Sequence, residues 1–164
     1  MPPNLILKLA LAASVTLGAL GPHLASAQET KTVAAEIGPI EIVAPFARAS
    51  LPNAPTGGAY FTLVNNGAED DRLVSVTSPG AESVDMHEMK IEDNVAIMRK
   101  LTDGIVLPAG ESTVLEPSGT HLMLNHLVRP LVEGEQLKLT LVFEQAGELT
   151  LDLPIASFAA RSAP

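Results

Sequence analysis

Nine short runs in which apolar and polar residues alternate, separated by Gly, Pro, Asn and Asp clusters, predict an all-β sandwich or barrel. The alternation has a period of two, as in strands with one face against a core, and nothing in the chain has the length and period of a sizeable helix. There is no cysteine, so such a fold is held by its core alone.

A different kind of sequence precedes these runs. Lys8 is the only charge ahead of Glu29, and residues 9–20 form an apolar run of 12. Gly21-Pro22 breaks it, and Ala25-Ser26-Ala27 places small residues at a cleavage position. This is the pattern of a cleaved signal peptide over 1–27, its apolar part too short for a comfortable membrane span. An uncleaved anchor is the alternative; a bacterial lipid anchor on cysteine is excluded because no Cys follows the run. Residues 28–35 read as a loose polar leader, 36–158 as one domain and 159–164 as a short disordered tail.

Strands are expected at 37–47, 59–65, 71–78, 83–90, 95–101, 112–116, 120–127, 136–144 and 149–155. Asn65-Asn66-Gly67 ends the second, Pro79-Gly80 the third, and Glu92-Asp93-Asn94 reads as a hairpin turn between the fourth and fifth. Pro108-Ala109-Gly110 and Ala146-Gly147 mark two later turns. In the eighth strand Leu137, Leu139, Leu141 and Phe143 define a core face. Of Tyr60 and Phe61 in the second, one is expected at the centre of the core.

Cleavage after Ala27 leaves 137 residues with nine Lys and Arg against 19 Asp and Glu, a net charge of −10. That is enough chain for one domain with a real core. Such acidity argues against nucleic acid and anionic membranes, and for cations or a partner with a basic patch. The mature form is expected to be a monomer with no membrane insertion. Lack of cysteine removes thiol chemistry, and no arrangement of carboxylates or of Ser, His and Asp suggests catalysis. The chain therefore reads as a non-enzyme.

What remains distinctive is the window Met86–Met123. It holds all four methionines other than Met1, and two of the four histidines, His87 and His121. Thioether and imidazole donors together suit a soft, late transition metal, Cu(I) above all. Strand parity sorts these donors: His87 and Met89 share a face, His121 and Met123 share a face, and Leu122 and Leu124 point the other way into the core. A hairpin turn centred between Glu92 and Asp93 places Met98 opposite His87. His87 and Met98 on a hairpin then meet His121 and Met123 on another strand, a two-nitrogen, two-sulfur set. A blue-copper electron-transfer centre needs a Cys thiolate and is rejected.

The order His87, ten residues, Met98, 22 residues, His121-Leu122-Met123 resembles the periplasmic copper chaperones called PCuAC proteins, where the second interval is usually 21. The extra residue is expected near 100–104, in a loop. Gly57-Gly58-Ala59-Tyr60-Phe61-Thr62-Leu63, Asp70-Asp71-Arg72-Leu73, Leu107-Pro108-Ala109-Gly110 and Pro117-Ser118-Gly119-Thr120-His121 extend the resemblance over most of the mature chain. It implies a cupredoxin-like Greek-key sandwich in the periplasm that binds one Cu(I) through His87, Met98, His121 and Met123. It also implies delivery to a copper-accepting protein, a cytochrome c oxidase subunit or another copper chaperone. Some relatives carry a Met/His-rich C-terminal tail; this chain ends Ala159-Ala160-Arg161-Ser162-Ala163-Pro164.

Other donors read more plainly. Met89 is a rim residue, with an auxiliary or transfer ligand as the alternative. Met86 is core, His126 is a surface or hydrogen-bonded histidine, and His23 leaves with the signal peptide. Asp85 and Glu88 read as a solvated strand face, while Arg72 is either a partner contact or the cap of an acidic turn. Two competing functions belong to other classes: an exported structural or adhesion module without metal, and a copper-dependent redox enzyme.

Overall fold

The computed structural model describes residues 32–164. The expected signal peptide, and residues 28–31 of the expected leader, lie outside them. Eleven strands follow in order: β1 (Val33–Ile37), β2 (Ile40–Arg48), β3 (Thr56–Asn65), β4 (Asp71–Thr77), β5 (Ala81–Glu92) and β6 (Val95–Lys100), then β7 (Ile105–Leu107), β8 (Ser112–Leu115), β9 (Thr120–Leu127), β10 (Gln136–Phe143) and β11 (Gly147–Ala156). Among the described residues there is no helix, as the alternation predicts.

Two of the expected boundaries are corrected. The run 37–47 is two strands, because Gly38 takes a φ of 54° and turns the chain between β1 and β2. β1 therefore begins inside the expected leader: Val33 and Ala35 pair with Val43 and Ile42. The three-residue β7 was not expected, since Ile105-Val106-Leu107 is too short to show a period; it pairs with β4.

The strands join in the path β6-β5-β9-β3-β2-β11-β10-β4-β7, with β1 on β2 and β8 on β3. All contacts are antiparallel except the short parallel one where Ile155 and Ala156 of β11 meet Ala47 and Arg48 of β2. That contact joins the two sheets around a core in which Ile40, Ile42, Leu63, Leu73, Leu122, Leu124, Leu139, Leu141 and Leu153 are essentially without solvent contact. Phe61 belongs to this core. Sealing so much aliphatic surface contributes roughly 1.5–3 kcal/mol per side chain before the entropic cost of ordering is subtracted. Met86 is buried with them in line with its parity, whereas His126, which has the parity of Leu122 and Leu124, takes a φ of 52° near the end of β9 and is exposed.

A second, small cluster lies outside this core. In β2 the pairing with β3 slips between Val43 and Phe46, and Ala44 takes a φ of 48°. Pro45, which has no N–H for a ladder, sits in this bulge. The bulge inverts the alternation, so that Ala47 rather than Phe46 enters the main core. Phe46 packs on Tyr60 instead, ring centroids 5.1 Å apart. Ala156, Ala160 and Ala163 complete this cluster, and Arg48 Nε donates to the Ala160 carbonyl at 2.6 Å. The expected disordered tail is thus corrected: residues 160–163 dock on aromatic rings that the bulge turned outward.

Candidate metal centre

β5 and β9 are neighbours, and their register makes His87 and His121 direct partners. Their side chains lie on the face away from Met86, Leu122 and Leu124, yet each residue keeps only 7–8% of its exposure. The rings stand edge to face, centroids 5.8 Å apart. Two steps along β9 on the same face is Met123, which pairs with Asp85 of β5 and with Gly58 of β3.

The hairpin supplies the fourth donor, through a register different from the one expected. Asp93 and Asn94 both take left-handed backbone, φ 50° and 63°, and form a two-residue turn with Glu92 opposite Val95. Asp and Asn tolerate that conformation better than other residues with a Cβ, and such turns match strand twist. Lys100 is therefore opposite His87, and Met98 is opposite Met89. The displacement is two residues, so Met98 keeps its face. Its sulfur still reaches His87, with Nδ1 to Sδ at 3.1 Å.

Each imidazole is oriented by a second contact. His121 Nδ1 lies 2.9 Å from the Gly119 carbonyl and donates to it, which leaves Nε2 with the free lone pair. The same carbonyl accepts the backbone N–H of Met89 at 3.2 Å, so one oxygen ties the hairpin to β9. His87 Nε2 faces Asp85 at 4.0 Å, too far for a hydrogen bond. Asp85 is itself held by Lys100 at 2.7 Å and by Asn125 at 3.1 Å. Asp85 is thus part of the site's surroundings rather than a free solvated carboxylate. The signal was present in its position two residues before His87, on the same face.

Burial lowers the pKa of His87 from its ordinary value; His121 and Lys100 act in the same direction, and Asp85 opposes them. The Asp85 carboxyl is held below the usual range, chiefly by its hydrogen bond from Lys100. The apo protein should therefore show His87 titrating below the usual imidazole pKa in an NMR pH titration of the ring protons. The unfolded chain binds this proton more readily, so the contribution to stability is complete above the ordinary imidazole pKa of about 6.5 and is lost as pH falls through the folded value.

Two imidazoles and two thioethers on one face are the donor types of a soft ion. Among the described residues no group of three or more His, Cys, Asp or Glu converges, so a carboxylate-rich site for a hard cation is not offered. Bonds of about 2.0 and 2.3 Å at a tetrahedral angle put nitrogen and sulfur about 3.5 Å apart, by analogy with zinc. The observed 3.1 Å requires only a small opening of a side chain that is half exposed. His121 and Met123 also line a cleft of about 380 Å³, whose walls include Arg48, Leu51, Tyr60 and Phe158.

The family model for "Putative lipoprotein LpqE-like" matches residues 40–155. The chain belongs to the LpqE-like family. Its domain is of the PCuAC type, with the cupredoxin-like fold that the motif implies. The copper-bound PCuAC domain from PmoF2 is similar at a TM-score of 0.65 and 30% identity, covering 75% of this chain and 97% of that one. The solution structure of CuI-DR1885 from Deinococcus radiodurans is similar at 0.58 and 26%, over 80% of this chain and 83% of that one. Lxx21020 of Leifsonia xyli subsp. xyli (strain CTCB07) is 30% identical over 100 residues, which is 61% of this LpqE-like chain and 60% of that relative. The match thus spans less than two thirds of that relative's length.

Proposed function

We propose that this protein is an exported copper chaperone that holds one Cu(I) through His87, Met98, His121 and Met123 and passes it to a partner in the periplasm. One observation carries the reading: two nearly buried imidazoles are cross-strand partners on the face away from the core, with the Met98 sulfur 3.1 Å from one of them. A structural module has no use for a pair of histidines sheltered outside its core. The copper in the PmoF2 and DR1885 structures supports the same reading.

The donor set suits carriage rather than catalysis. Thioethers carry no charge and do not titrate, so a two-Met, two-His site holds Cu(I) without strong electrostatic retention. Only the histidines compete with protons, and the lowered pKa of His87 keeps that ligand available at mildly acidic pH. Met98 is half exposed, which lets an incoming ligand reach the ion. The recipient would be a protein that binds Cu(I) more tightly, such as an apo subunit of cytochrome c oxidase.

An anaerobic competition titration with a Cu(I) chelator tests this. The wild type should bind one equivalent, and a Met98→Ala, His121→Ala double variant should bind none at the same chelator concentration. Absence of binding by the wild type would leave the structural module as the explanation.

A further inference from the structure

The four donors leave a fifth soft donor unexplained. Met89 is on the face of His87, and its cross-strand partner is Met98. The hairpin thus carries two thioethers side by side, one step further from the His pair. On this face the side toward the body of the sheet is closed by charge: Lys100, opposite His87, is bound to Asp85. The side toward the tip carries none, because Met89 faces Met98 and Ile91 faces Ala96. The charged pairs Lys90–Glu88 and Arg99–Glu92 belong to residues of the opposite parity. Among the described residues β6 is also the edge of the sheet, pairing only with β5.

We infer that Met89 and Met98 form an outer, two-thioether position for Cu(I), through which the ion leaves the His pair on its way to the recipient. The inference rests on the copper-carrier reading above. In the resting site Met98 is shared between the two positions: its sulfur touches His87, and its backbone is opposite Met89. In the exit step the Cu–S bond to Met89 forms, the Cu–N bonds to His87 and His121 and the Cu–S bond to Met123 break, and Met98 remains bound throughout. The ion stays Cu(I), and the released imidazoles remain neutral, so the exchange needs neither an electron nor a proton. An ion held by two neutral sulfurs at an exposed sheet edge is under-coordinated, and donors of the recipient complete the set.

The hairpin is suited to this passage because, on the face that carries Met89 and Met98, the strand positions toward the tip are Ile91 and Ala96, and neither is a carboxylate that competes for the ion. Hard oxygen ligands discriminate poorly in favour of Cu(I), whereas sulfur selects it. The Gly119 carbonyl fixes the backbone of Met89 and the ring of His121 at once, so both positions stay in register with each other. Met86 provides an internal reference of the same residue type: it is 7% exposed and packs in the core on the opposite face.

The test uses protein labelled with ¹³C at the methionine methyl groups, titrated anaerobically with Cu(I), together with a Met89→Leu variant. Leucine keeps the size and apolar packing but removes the sulfur. Binding of one Cu(I) should move the methyl resonances of Met98 and Met123. Adding a thioether-bearing acceptor peptide should then broaden or shift that of Met89, while Met86 stays fixed throughout. Met89→Leu should leave equilibrium affinity within about threefold but slow transfer to the acceptor roughly tenfold, an effect of the size seen for groups adjacent to a metal's ligands. A Met89 resonance that never moves, with transfer at the wild-type rate, overturns the exit role while leaving the carrier reading intact. No Cu(I) binding by the wild type overturns both.

Discussion

His121→Ala should lower Cu(I) affinity by more than about a hundredfold, beyond the 10–100-fold typical of losing a mere supporting contact, and leave thermal stability nearly unchanged. Leu122→Ala, one residue along, should do the reverse. It should cost about 2–5 kcal/mol of stability, as buried Leu truncations do, and spare copper binding in the molecules that fold. The asymmetry follows from parity in β9. Leu122 has no solvent exposure and belongs to the main core, whereas His121 faces the other way, against His87. Truncating His121 removes a ring whose Nδ1 is bound to one carbonyl in the turn before β9, and opens space beside a cleft that solvent already reaches. Thermal melts and chelator competition on the two single variants check this. Equal loss of stability in both would mean that the His pair is part of the structural core.

The same parity made much of the molecule readable from its sequence. Two-residue alternation located nearly all of the strands and separated His87, His121 and Met123 from Met86 and Leu122, because one face of each strand must meet the core. Register was less legible. The turn is Asp93-Asn94, its centre one residue beyond the point between Glu92 and Asp93, and the difference depends on which residues accept left-handed backbone. Met98 stays on the face of His87 only because the difference amounts to two residues rather than one. What alternation could not reveal was the surroundings of the site. The bulge at Ala44-Pro45 reverses the faces of β2, and only this reversal brings Phe46 onto Tyr60 and gives the C-terminal residues a surface to dock on. Likewise, whether Asp85 stands free or is held by Lys100 depends on the β5–β6 register.

Those surroundings make Gly58 the position where a single methyl should do most damage to the site. A Cβ there would lie 2.1 Å from Tyr60 Oη and 2.7 Å from Cζ, because the phenol ring folds back along β3 over Gly58. Gly58 is also the cross-strand partner of Met123. The obstruction is the end of a side chain, so Gly58→Ala need not unfold β3; it must displace Tyr60. That ring is nearly buried, packs on Phe46, and has the Arg48 guanidinium 5.4 Å from its centroid. Burial raises the pKa of its phenol, with Arg48 partly offsetting. Swinging it out would open the cleft beside His121 and Met123, expose the tail's docking surface and leave Met123 without its neighbouring wall. Overpacking of this kind costs about 1–3 kcal/mol. Gly58→Ala should accordingly show a lowered melting temperature, weaker Cu(I) binding by about tenfold, as for lost ligand support, and a phenol that titrates nearer its ordinary range. Adding Tyr60→Ala in the same chain should relieve the collision, so the double variant should lose less stability than the two single changes sum to, a coupling expected of residues in contact. Strict additivity in that cycle would show that the phenol ring does not lie over Gly58 in solution.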